Sequence, residues 1–217
     1  MAVSPLNPNE PTLIAETSEW LAIAKPAGWL TIPGRGEAMR EVPVLSEWLE
    51  KRVGTVFTVH RLDLETSGLI LFAKTAQAHA QANAWFAGRE TKKIYQFVAH
   101  GIPKLPLYKV KLPIEGQSAT TQIEPKSMAS IGFFGEAFPH TGRRHQIRIH
   151  LASLGHPIWG DKRYGGKKEI ESAQGPVTIS RVALHAKSLR LPSGETFEAP
   201  LPKDFQSWVD LIAAGAK

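Results

Sequence analysis

Residues His60 to Phe72 place the tightest limit on how this chain can fold, because a polar turn opens there directly into an unbroken apolar run. Leu69 to Ala73 shows no polar alternation, which predicts a buried strand. At its entrance stand the carboxylate of Asp63 and the guanidinium of Arg61, with Thr66-Ser67-Gly68 shaping the turn. A carboxylate beside a buried strand is placed for chemistry. Aspartate also caps backbone amides in turns, so Asp63 taken alone supports either reading.

Around this element the chain reads as short strands with a few helices. Trp20 to Ala24 is a strand that enters the turn Lys25-Pro26-Ala27-Gly28, and Leu30 to Ile32 resumes an extended run. Val44, Leu45, Trp48, Leu49 and Val53 recur at helical spacing, with Gly54 where a helix would stop. Thr75 is placed to cap a helix from Ala76 to about Ala87, ended by Gly88. Ile94 to Ala99 is a further strand, and Thr120 to Glu124 with Ser130 to Phe138 reads as a hairpin. Ile147, Leu151 and Leu154, backed by Gly155, favour a helix. Lys162 to Gln174 is basic and contains glycine, so it is expected as a surface loop that orders on binding. Two late runs, His185 to Leu191 and Thr196 to Phe197, form a hairpin through Pro192-Ser193-Gly194, and an amphipathic helix follows Pro202. Strands outnumber helices without strict alternation, which predicts an α+β fold with a mixed, largely antiparallel β-sheet core and flanking helices and loops. Residues 1–18, rich in Pro and Asn, are expected as a loose N-terminal arm, and 19–217 as one catalytic domain.

Zero cysteines exclude disulfides, thiolate zinc sites and a cysteine nucleophile. No run approaches the roughly 18 apolar residues that span a bilayer, and Met1 to Pro11 lacks the pattern of a secretory signal. Cytoplasm is the expected compartment. The net charge of +6 fits a polyanionic partner. Its distribution is sharper: between His140 and Lys168, Arg143, Arg144, Arg148, Lys162, Arg163, Lys167 and Lys168 face a single acid, Asp161. That asymmetry suits a phosphate backbone. His140, His145, His150 and His156 crowd the same region, yet residues five apart do not share a helix or strand face as zinc ligands must. No metal and no cofactor is expected.

The segment from His60 to Leu69, His-Arg-Leu-Asp-x-x-Thr-Ser-Gly-Leu, resembles the signature of the RluA-type pseudouridine synthases, which convert uridine in folded RNA to its carbon-linked isomer. Further blocks are similar to the same family in the same order: Lys25-Pro26-Ala27-Gly28, preceded by Ala24 where Asn is usual; Lys93-Ile94-Tyr95; Thr141 to Leu154, with Arg144 where Thr is more frequent; Gly155 to Asp161; Leu184 to Leu189; and Ala199 to Pro202. The resemblance implies the pseudouridine synthase type of sheet and structured RNA as partner, a tRNA or rRNA stem-loop, with no obligate protein partner and no membrane.

Carried over by position, the resemblance implies that Asp63 is the catalytic aspartate, that Tyr95 stacks near the uracil and assists proton removal from carbon 5, and that Arg148 pairs with the catalytic carboxylate. A nearby Arg lowers an Asp pKa by about 1–3 units and keeps it ionised. Arg61 matches the arginine that enters the gap left by a flipped base. His60 is grouped with it on the RNA side, where it orders the turn. Arg143, Arg144, Lys162, Arg163, Lys167 and Lys168 are expected phosphate contacts. Since these elements begin near Trp20, recognition is expected from the catalytic domain itself. Two other readings remain. One is an RNA-binding protein of the same fold without catalysis. The other is a glycoside hydrolase using Asp63 and Glu65, which an extended backbone would hold about 6.5–7 Å apart; the basic surface gives neutral sugars no reason.

Overall fold

The apolar run that follows the Asp63 turn is the strand Ser67–Ala73, and all of its residues are buried. The computed structural model describes residues 9–173 and 175–215. Numbered along the chain, its strands are β1 (Thr12–Glu16), β2 (Trp20–Lys25), β3 (Phe57–Thr58), β4 (Ser67–Ala73), β5 (Lys92–Ala99), β6 (Tyr108–Val110), β7 (Thr121–Ala129), β8 (Gly132–Pro139), β9 (Glu169–Ser172), β10 (Gly175–Thr178), β11 (Leu184–Arg190) and β12 (Thr196–Glu198). The helices are α1 (Leu45–Val53), α2 (Ala76–Gly88), α3 (Gln146–Ser153) and α4 (Lys203–Ala214). The fold is α+β with largely antiparallel pairing, as the pattern of short strands predicts. The chain divides into two compact units. One comprises the described residues up to Thr91 with Ala186–Pro202, the other Lys92–His185 with the residues from Lys203 onward.

In the first unit β2 pairs antiparallel with β1 and with β4, in a register running from Trp20 opposite Ala73 to Lys25 opposite Gly68. β3 adds to the end of β4. Alternate residues Trp20, Ala22, Leu69, Leu71 and Ala73 form one packed face, met by Ala78 and Ala82 of α2 and by Leu189, Leu191 and Phe197. Each such large side chain stabilises the unit by about 1.5–3 kcal/mol. The small Ala78 and Ala82, four residues apart, present one helix face to this cluster. Thr75 caps α2 as expected, its Oγ1 accepting from the Ala78 N–H at 3.1 Å. The helix ends at Gly88 as expected, although the left-handed cap is the next residue, Arg89, at φ 60°. β1 corrects the expected loose arm. Thr12–Glu16 satisfies its backbone against β2, a pairing that Pro and Asn content could not reveal; residues 1–8 of that arm lie outside the described residues.

In the second unit β5, β8, β7 and β6 pair in that order, all antiparallel. The β7–β8 register shifts between Pro125 and Ser127, where a proline without an N–H interrupts the ladder. α3 and α4 pack on β7 and β8. Phe205, Trp208 and Ile212 make the buried stripe of α4. The basic stretch read as a surface loop is more structured than expected: a helical turn at Lys162–Tyr164 leads into the β9–β10 hairpin, with Ile170 opposite Val177. Ile170 is buried between exposed Glu169 and Glu171, a period-2 signal too short to stand out among charges. Gln174, the last residue of that expected loop, lies outside the described residues. The extended run at Leu30–Ile32 reduces to one bridge between Leu30 and Val44. Among the described residues no helix is long and apolar enough to cross a membrane.

Candidate active site

The Asp63 turn is held on both flanks by the end of β2 and the segment that follows it. On the near side, Thr31 Oγ1 accepts from the Leu62 N–H at 3.2 Å and donates to the Leu62 carbonyl at 3.4 Å. On the far side, the Leu64 carbonyl accepts from the Gly28 N–H at 2.9 Å and from Lys25 Nζ at 3.3 Å. Lys25 is only 1% exposed and bonds also to the carbonyls of Pro26 and Trp29, at 3.0 and 2.8 Å. A buried ammonium needs such acceptors. The turn closes through the Thr66 N–H on the Asp63 carbonyl at 3.1 Å. Asp63 is half-buried and Arg61 exposed, so the backbone is fixed while both side chains reach the surface.

His60 is engaged within the fold. Its Nε2 accepts from the Leu71 N–H at 3.1 Å, and its ring stacks on Phe86 with centroids 5.3 Å apart. The backbone N–H can only donate, so the imidazole is neutral there with its proton on Nδ1. Gly68 sits at φ 116°, and a Cβ on it would stand 2.3 Å from the Ala186 carbonyl oxygen. Only glycine permits that approach.

In the second unit, Tyr95 is half-buried on β5, opposite Ala137 of β8. Arg148 on α3 is buried and grips Asp161 with two bonds, Nε to Oδ2 at 2.6 Å and Nη2 to Oδ1 at 2.8 Å. Its guanidinium also lies 5.1 Å from the Tyr164 ring, whose hydroxyl meets His145 Nδ1 at 2.9 Å. A planar, bidentate pair fixes the guanidinium plane far better than a lysine would. Nothing in the sequence marks Asp161, the one acid of the basic block, as the partner of Arg148.

Asp161 also organises the basic loop. The Gly166 and Tyr164 N–H groups donate to its carbonyl at 2.8 and 3.1 Å, and the Gly160 N–H to the Lys167 carbonyl at 2.7 Å. This winding leaves Lys162, Arg163 and Lys167 exposed and Lys168 half-buried. Arg144 is exposed, whereas Arg143 is half-buried with its Nε directed at the Ser118 carbonyl at 3.4 Å. The histidines serve separate posts: His156 Nδ1 pairs with the His100 carbonyl at 2.9 Å, and His150 bonds to Thr121 and Leu112. Among the described residues no three His, Asp or Glu side chains are grouped to hold a metal ion.

Residues 19–153 match the family described as RNA pseudouridylate synthase, a span that includes the Asp63 turn, β5 and α3. The chain belongs to that family. The dual-specificity RNA pseudouridine synthase RluA of Vibrio cholerae is 34% identical over 87% of this chain and 81% of the relative. The ribosomal large subunit pseudouridine synthase C of Buchnera aphidicola is 29% identical over 92% of this chain and 70% of its own length. The solved human RNA Pseudouridylate Synthase Domain Containing 4 shares the fold, with a TM-score of 0.73 over 93% of this chain and 92% of that one at 22% identity. This RNA pseudouridine synthase, of the RluA type, is thus an isomerase.

Sequence reasoning on the synthase missed the polar network that carries α3. The Gln146 Oε1 accepts from the Thr141 hydroxyl at 2.6 Å and the Arg143 N–H at 3.0 Å, while its Nε2 donates to the Thr120 carbonyl and Thr121 Oγ1 at 3.1 and 2.9 Å. Thr121 Oγ1 then donates to His150 Nδ1 at 2.8 Å, and His150 Nε2 to the Leu112 carbonyl at 3.0 Å. Every donor and acceptor role in this chain is determined. Burial lowers the His150 pKa, and the Leu112 bond opposes that shift only in part. The available signal was Gln146 and His150 four residues apart, on one face of a helix otherwise facing apolar strands.

Proposed function

We propose that the protein isomerises particular uridines of structured tRNA or ribosomal RNA in the cytoplasm, with Asp63 as the catalytic carboxylate and residues 19–217 as the catalytic domain. The observation that carries this reading is the turn itself: Leu62 and Leu64 are clamped through their backbones, which fixes the backbone of the half-buried Asp63 between them. Preorganisation of this kind is what a carboxylate acting on a detached base requires.

In the proposed reaction the bond between ribose carbon 1 and nitrogen 1 breaks, the uracil turns within the site, and carbon 5 bonds to the ribose. Carbon 5 loses its proton and nitrogen 1 gains one, so atoms balance without a co-reactant. Asp63 either attacks carbon 1 or promotes departure of the base. Tyr95 lies against the ring and assists the loss of the carbon 5 proton. Arg148 supports the carboxylate chemistry from α3. The target uridine must leave its stack at a cost of about a few kcal/mol, and the exposed Arg61 fills the space it vacates while His60 orders the turn beneath. Arg143, Arg144, Lys162, Arg163, Lys167 and Lys168 contact the phosphates. One relative named for the ribosomal large subunit favours ribosomal RNA, and one named for dual specificity favours more than one kind of RNA target.

The test is incubation with transcribed tRNA and large-subunit rRNA carrying tritium at carbon 5 of uridine. Isomerisation forces tritium release. Asp63→Asn is expected to abolish release while RNA binding stays near wild type; turnover by that variant would remove Asp63 from its role. RNA binding by the wild type without any release would favour a binding protein over an enzyme.

A further inference from the structure

The first unit carries a cavity of about 540 Å3 that the Asp63 chemistry does not use. Two half-buried aromatic rings, Trp29 and Trp48, line it with centroids 6.4 Å apart and planes at 89°. The Arg52 guanidinium lies 3.8 Å from the Trp48 ring centroid, and its Nη1 donates to the Trp48 carbonyl at 3.1 Å. Arg40 and Lys51 bring two more cations and Glu41 and Glu47 two anions, and Glu37 lies 3.6 Å from Arg40, so the charges around the cavity balance.

The walls are built. Trp29 Nε1 donates to the Asn9 carbonyl at 2.9 Å, and the Trp29 carbonyl accepts from the buried Lys25 at 2.8 Å. The Leu30 N–H donates to the Pro43 carbonyl at 2.9 Å and the Leu45 N–H to the Leu30 carbonyl at 2.8 Å, tying the Trp29 segment to the start of α1, which carries Trp48. Two rings held at a right angle, one already stacked under a guanidinium, form a corner for a flat π-system bearing an anionic group. A volume of this size lies in the range that takes a small organic ligand.

We propose that this cavity holds an unpaired nucleotide of the RNA substrate, distinct from the uridine being isomerised. Its base packs into the corner made by the Trp29 and Trp48 rings, and its phosphate faces Arg40 and Lys51. The site rests on the reading of the protein as an RNA-modifying enzyme and adds a second point of grip. That grip bears on register, because the Gly28 N–H, one residue before Trp29, holds the Leu64 carbonyl, one residue after Asp63, at 2.9 Å. With cations and anions nearly balanced, stacking carries the affinity, so this contribution persists when salt weakens phosphate contacts.

The test compares wild type with Trp48→Leu, Trp48→Phe and the surface variant Arg52→Gln, all checked for thermal unfolding. Trp48→Leu is expected to raise KM for the RNA roughly 5- to 150-fold with kcat unchanged, Trp48→Phe to recover most of that loss, and Arg52→Gln to show a smaller rise. A labelled oligoadenylate hexamer, titrated at low and high salt, is expected to lose affinity in Trp48→Leu by a factor that salt does not shrink. Unchanged KM and unchanged hexamer affinity in Trp48→Leu and Arg52→Gln overturn the proposal, as does equal loss in Trp48→Leu and Trp48→Phe. Arg52→Gln decides the matter if Trp48→Leu fails to fold. Absence of tritium release from the wild type counts instead against the isomerase reading, and the hexamer titration then judges the cavity separately.

Discussion

Thr31 holds Leu62 by both of that residue's backbone polar groups, accepting its N–H at 3.2 Å and donating to its carbonyl at 3.4 Å. Thr31 and Leu62 are 3% and 7% exposed, so no water stands ready to replace either bond. The hydroxyl therefore acts on the position of Asp63 without belonging to the Asp63 turn. It is a positioning residue.

Thr31→Val keeps the shape and removes the hydroxyl, leaving a buried N–H and carbonyl unpaired at about 1–3 kcal/mol. The expected result is a lower kcat on uridine-containing RNA with KM nearly unchanged, together with a lower Tm. Thr31→Ser should restore kcat. A Val variant that loses stability yet turns over at the wild-type kcat would confine Thr31 to a structural part.

Gln146 offers a test of charge at nearly constant volume. Its Nε2 donates to the Thr120 carbonyl and to Thr121 Oγ1, and Gln146→Glu would aim a carboxylate oxygen at two oxygens. The Thr121 hydroxyl can turn to donate only by leaving His150 Nδ1. A loss of about 1–3 kcal/mol is expected in chemical denaturation, with the midpoint moved and the slope kept. Recovery at low pH, where the introduced carboxyl group is protonated and regains a donor, is the distinguishing sign.

His100 gives a pH dependence. Its Nε2 accepts from the Lys167 N–H at 3.0 Å, which requires the neutral imidazole. Burial first, then the Lys167 charge, lowers its pKa below the usual 6.5. Because the folded protein disfavours the proton, this contribution is fully present above pH 6.5 and is lost as pH falls through the lowered folded value. NMR titration of the His100 ring should therefore place its midpoint below 6.5, and Lys167→Met should move it upward. A midpoint at or above 6.5 in the wild type would contradict this account.

Much of the site was legible as short-range pattern. The apolar run at Leu69–Ala73, the Thr75 cap, the α1 spacing with Gly54 and the closing hairpin each depend on neighbours within a few residues, and local sterics and burial act over that range. The Asp63 turn could be read in the same way, because the polar-to-apolar switch and Gly68 are adjacent to it. β1 and the β9–β10 hairpin were not legible. A five-residue edge strand and a four-residue charged strand hold their shape through hydrogen bonds to partners, not through their own propensities.

What the sequence by itself determined is the order of buried and polar elements, the family, and the residue types offered for chemistry. Only the tertiary structure decided that Lys25 and Thr31 clamp the residues flanking Asp63, that Asp161 occupies the Arg148 guanidinium from 13 residues away, and that Gln146, Thr121 and His150 share one directed network. Those partners lie far apart along the chain. Their meeting depends on strand register and on the space left between packed elements, and a hydrogen bond forms only when both ends are brought within about 3 Å in the right direction.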